Sequence, residues 1–133
     1  MSAYARIVQD LATARLGPMA TLHFSRHTAH VRSGGGTRCV ARIERPDAHG
    51  NPEVVALAGG ADSGEACRAL LAMLSRDDLT LTTVEVAAVL GVDPSRVRHR
   101  LRDGRLVAAT PGGPGGWTSA RFEPAEVWRV VGG

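Results

Sequence analysis

The stretch from Thr82 to Gly104 starts and stops two short helices with a single tight turn between them, and this punctuation restricts the fold more than anything else in the chain. Thr82 stands where a cap is needed for a helix through Leu90, whose inward stripe is Val86, Ala87 and Leu90. Gly91 ends it, because only glycine enters the left-handed region without a steric penalty. Asp93-Pro94 supplies a second cap and a proline at the first helical position, Val97 and Leu101 fall one turn apart on the buried side, and Gly104 closes the segment.

Two short helices joined by a glycine-containing turn predict a helix-turn-helix, whose second helix enters a DNA major groove about 12 Å wide. The second helix carries the charge such a role needs. From Arg96 to Arg105 there are five Arg and one Asp in ten residues, and an inward Val97 and Leu101 leave Ser95, Arg96, Arg98, His99 and Arg102 on the outer arc. Leu106 to Ala109 is strand-like, Pro111 to Gly116 forms a Gly/Pro-rich loop tip, and Trp117 to Phe122 returns as the partner strand of a wing. Glu123-Pro124 restarts a helix through Val131, with Val127, Trp128 and Val131 closing the core over the two earlier helices.

This stretch resembles the excisionase-type, MerR-like winged helix-turn-helix family over roughly residues 78–133. The residues that carry the likeness are Leu81-Thr82, Ala87-Ala88, Leu90-Gly91-Val92, Ser95, Val97, Arg102, Gly104, Leu106, Arg121 and the turn from Pro124 to Trp128. Three features depart from the family pattern: Arg98 stands at an often aromatic position, Arg100 at an often aliphatic one, and the wing tip is unusually rich in Gly and Pro. The resemblance implies a DNA-binding fold with a transcription-regulating, repressor or recombination-directing role, such as phage and mobile-element proteins use. The expected DNA contacts are Thr82, Ser95, Arg96, Arg98, His99, Arg100, Arg102, Arg105, Gly113, Gly115, Trp117 and Arg121. Arg98→Ala is expected to weaken binding.

The first half is built differently. Ala5, Ile7, Val8, Leu11 and Ala12 recur at helical spacing between Ser2 and Arg15, ending at Gly17-Pro18. Thr21 to Val31 reads as one bulged strand or two short ones, its alternation slipping near Ser25. After Gly34-Gly35-Gly36, Thr37 to Glu44 alternates as a half-buried strand, making a hairpin, and beyond the turn formers Pro46 to Pro52 a third strand occupies Val54 to Leu57, broken by Gly59-Gly60. Asp62 or Ser63 caps a helix from about Gly64 to Ser75 with Ala66, Leu70, Met73 and Leu74 on its apolar face. The fold class is therefore α+β: an N-terminal α-β-β-β-α module at residues 1–77, its helices on one face of an antiparallel sheet, then a winged helix-turn-helix at 78–133. Arg32, Arg38 and Arg42 fall together on the hairpin's outer face, as a solvated surface or a second nucleic-acid contact.

Composition sets outer limits. All 16 Lys+Arg residues are Arg, and the net charge of +3 is modest, so any strongly basic patch must be local. Cys39 and Cys67 have no metal-ligand spacing beside them, which argues against a zinc site or a disulfide framework. His23, His27 and His30 cluster, but His30 points away from the other two in an extended chain, and no metal is expected. No nucleophile elbow, phosphate-binding loop or paired carboxylate supports catalysis or a cofactor. No apolar run approaches the roughly 20 residues of a membrane span, and Asp10 and Arg15 interrupt any signal-like segment, which predicts a cytoplasmic protein. The expected partner is double-stranded DNA, with residues 1–77 serving dimerisation, a protein partner or a second DNA contact; the alternative is an adaptor or antitoxin that docks protein.

Overall fold

The computed structural model describes residues 3–28, 37–110 and 120–132. Its elements run α1 (Ala3–Leu16), β1 (Thr21–Thr28), β2 (Thr37–Pro46), β3 (Pro52–Gly60), α2 (Ser63–Leu74), α3 (Thr83–Leu90), α4 (Pro94–Arg102) and α5 (Pro124–Gly132). The strands form one antiparallel sheet in the order β1-β2-β3.

Strand pairing decides which side chains share a face, because residues directly opposite one another in an antiparallel ladder point the same way. Phe24 lies opposite Ala41, and Ala41 opposite Ala58, so these residues look one way; His23, Arg42 and Leu57 form the matching row on the other side. The first face receives α1 and α2. Ala5, Val8 and Ala12 form the buried stripe of α1, Ala66, Cys67, Leu70, Met73 and Leu74 that of α2, and Gln9 pins α1 to β1 by donating to the Ala20 carbonyl (2.9 Å) and accepting from the Leu22 amide (2.9 Å). An Arg15 guanidinium nitrogen donates to the Leu74 carbonyl, an acceptor that the end of α2 leaves open, and to the Arg76 carbonyl just beyond it.

The second face is covered as well, against the expectation of helices on one side only. α3 and α5 pack against β3. Val40 and Leu57 on this face are completely buried, so β2 and β3 are covered on both sides instead of alternating between core and solvent. One continuous core links Val8, Ile43 and Leu57 to Val86, Val97, Phe122 and Val127.

Three expectations about the strands change in consequence. Gly59 and Gly60 lie inside β3 instead of breaking it, because both faces are approached by backbone. A Cβ on Gly59 would lie 2.6 Å from the Ala88 carbonyl oxygen of α3, and one on Gly60 2.7 Å from the Ala66 nitrogen of α2. β1 pairs regularly from Thr21 to Thr28, and the irregularity expected near Ser25 lies between Ile43 and Glu44 of β2. The turn-former cluster shrinks to residues 47–51, where the Asp47 carboxylate accepts from the amides of His49 (2.8 Å) and Asn51 (3.0 Å). The expected glycine turn at 34–36 lies outside the described residues.

Candidate nucleic-acid interface

α3 is fixed at both ends. The Thr82 hydroxyl accepts from the Glu85 amide (3.2 Å) while the Glu85 carboxylate accepts from the Thr82 amide (2.9 Å), a reciprocal capping box. Glu85 is held in turn by Arg76, 3.0 Å away. At the other end Gly91 adopts φ 68°, and the Val92 amide returns to the Ala87 carbonyl (3.1 Å). These bonds set the angle at which the chain enters α4.

α4 begins at Asp93, whose carboxylate accepts from the Ser95 amide at 2.8 Å. Hydrogen bonds from the Ser95 backbone and side chain, aided by the charges of Arg98 and Arg96, hold this carboxyl below its ordinary range, so the cap is ionised at neutral pH. Val97 is fully buried and Leu101 half-buried against the core, which turns the opposite arc outward. Ser95, Arg96, His99 and Arg102 are exposed, and Arg98 and Arg100 are half-buried on the flanks. Ser95, Arg96, His99, Arg100, Asp103 and Arg105 line one open cavity of about 470 Å³. Burial lowers the Arg100 pKa, and the like charges of Arg105 and Arg96 lower it further. A guanidinium stays protonated through such a shift, so the cavity gathers positive charge that an anion would relieve. Asp103 offsets it only weakly, through an exposed pair with Arg105 at 3.1 Å.

The wing differs from expectation. Leu106 to Ala109 is not a strand, because the donors of Leu106 and Val107 are used elsewhere and only the Ala109 amide reaches the opposite side, at the Arg121 carbonyl (2.8 Å). The amides of Arg105 and Leu106 donate to the Arg100 carbonyl (2.9 and 3.2 Å), and that of Val107 to Glu126 of α5 (2.9 Å). Among the described residues, pairing here is confined to single bridges between Thr110 and Arg121 and between Leu81 and Phe122. The second was not foreseen; it ties the entry of α3 to the base of the wing through amide bonds of 2.8 and 2.9 Å. Arg121 is thus placed at the wing base and half-buried, while Gly113, Gly115 and Trp117 lie outside the described residues.

α5 docks on the sheet and only partly over α3, contrary to the expectation that it closes the core over the two preceding helices. Trp128 is half-buried, with the Arg42 guanidinium 4.5 Å from its ring centroid and His27 edge-on at 6.0 Å. Arg42 also pairs with Glu44 at 2.8 Å. Burial, together with Arg38 and Arg42, lowers the His27 pKa. Glu126 escaped the sequence reading, although its i,i+3 spacing to Arg129 was visible. Arg129 bonds it at 2.8 Å, and with the Val107 amide keeps its carboxyl low. Among the described residues no three His, Cys, Asp or Glu side chains are grouped to hold a metal ion, and no helix is long and apolar enough to cross a membrane.

The model of the winged helix-turn-helix domain of the DNA-binding protein Rv2175c matches residues 70–114, a span that begins in the last turns of α2 and includes α3 and α4. This supports winged helix-turn-helix DNA binding for that third of the chain; the excisionase and MerR subdivisions receive no such support. No curated protein and no solved structure matches the chain.

Proposed function

We propose that this chain is a sequence-specific double-stranded DNA-binding regulator, a transcriptional repressor or an excisionase-like recombination factor, that sets α4 into the major groove. The observation that carries this reading is the exposed arc of α4. Arg96, His99 and Arg102 stand outward on a short capped helix held by buried Val97, with Arg100 and Arg105 lining the cavity alongside. Such an arc offers bidentate guanidinium donors to guanine edges and to phosphates. Arg121 is suited to the adjacent backbone, and Thr82 to a phosphate at the start of α3. The similarity of residues 70–114 to a DNA-binding domain supports the same reading.

The test is recovery of bound genomic fragments from the host, followed by a salt titration on the best fragment. The expected result is a discrete site whose affinity falls linearly on logarithmic axes, by about 0.9 per phosphate contact. Absence of any enriched fragment would overturn the proposal and point to a protein partner.

A further inference from the structure

Arg38 belongs to β2, yet it lies against the helix-turn-helix. Its Nε donates to the Val89 carbonyl at 2.6 Å, meeting one of the acceptors that the last turn of α3 leaves open. A Cβ on Gly91 would come within 2.6 Å of Arg38 Cδ and 3.0 Å of its Nη1, so the guanidinium lies directly over the turn that leads into α4. The Nε bond fixes one edge of the fork. Among the described residues no carboxylate is paired with Arg38. The nearby charge that acts on it is another cation, Arg100 of α4, which lowers its pKa after burial has done so.

Positive charge held over the turn into α4 with no carboxylate paired to it is unfavourable, and a bound anion would reverse that balance. Arg42, four residues along the same strand face, makes the contrast plain: it has Glu44 and the Trp128 ring as partners, and it braces α5. We infer that Arg38 is a DNA phosphate ligand contributed by the N-terminal sheet, its Nη edge joining Arg100 on a backbone phosphate beside the groove that α4 enters. The contact surface would then extend beyond residues 78–133 onto the first half of the chain. This inference rests on the DNA-binding reading above and assigns part of that surface to the sheet.

The test compares the intact protein with Arg38→Gln and Arg38→Lys on random-sequence duplex DNA across a salt series, with melting temperatures recorded for each. Gln retains a donor for the Val89 carbonyl without the charge, and Lys retains the charge without the fork. The expected result is that Arg38→Gln melts like the parent but loses about 0.9 from the salt slope, so that its affinity loss between about 50 and 200 mM salt shrinks roughly threefold, while Arg38→Lys keeps the slope. If both variants weaken binding with the slope unchanged, Arg38 only braces the turn and the inference is overturned. A parent protein that fails to bind DNA overturns this inference together with the function it rests on. A parent that binds, with Arg96→Ala weakened and Arg38→Gln unchanged in affinity and slope, overturns this inference alone.

Discussion

His27 shows how strongly one residue's surroundings can set its behaviour. Its ring meets the edge of Trp128 at 6.0 Å and shares a 2.7 Å hydrogen bond with Ser25 Oγ. Burial and the charges of Arg38 and Arg42 lower its pKa. The unfolded chain therefore binds a proton at a pH where the folded ring is still neutral, so stability from this group is complete above the ordinary histidine pKa and is lost as pH falls through it toward the folded value. The melting temperature is expected to fall between about pH 7.5 and 5.5, and less so in His27→Gln. An equal fall in both proteins would assign the effect to other histidines. The sequence displayed the spacing of His23 and His27, but the Trp128 contact depends on a helix about a hundred residues away packing on their sheet.

At the scale of elements, the two helix starts and the turn between them were legible because they are written in local chemistry. Thr82, Gly91, Asp93, Pro94 and Gly104 act within a few residues of themselves. The outward arc of α4 followed from placing Val97 and Leu101 inward, although Arg98 and Arg100 proved half-buried on its flanks. The sheet was harder to read wherever its neighbours decide. Gly59 looks like a strand breaker in isolation and is a strand residue here because the α3 backbone leaves no room for a side chain. Likewise the donors of Leu106 and Val107 suit a wing strand until the Arg100 carbonyl and Glu126 claim them. Gly59→Ala is expected to cost about 1–3 kcal/mol in denaturant unfolding by pushing α3 from the sheet. Gly64→Ala, whose nearest contact would be 3.4 Å to the Asp62 side chain, should be neutral or stabilising by comparison. Equal effects would contradict the close packing of α3 on β3.

At the scale of the molecule, the shared core carries the consequence. Leu57 is fully buried on the face that α3 and α5 cover, and Leu57→Ala is expected to lower stability by about 2–5 kcal/mol. The loss should appear in one cooperative transition, with tryptophan fluorescence and far-ultraviolet circular dichroism changing together. Two separated transitions would mean that the halves fold independently. Coupling of this kind suits a DNA-binding protein, because a rigid sheet behind α3 fixes the direction in which α4 presents Arg96, His99 and Arg102.

Methylation protection of guanine N7, an atom that faces only the major groove, tests that presentation most directly. On a bound fragment the intact protein should protect guanines along one face of the duplex, and Arg96→Ala should remove protection at a subset of them while melting like the parent. Binding that leaves every guanine N7 reactive would contradict insertion of α4 into the major groove.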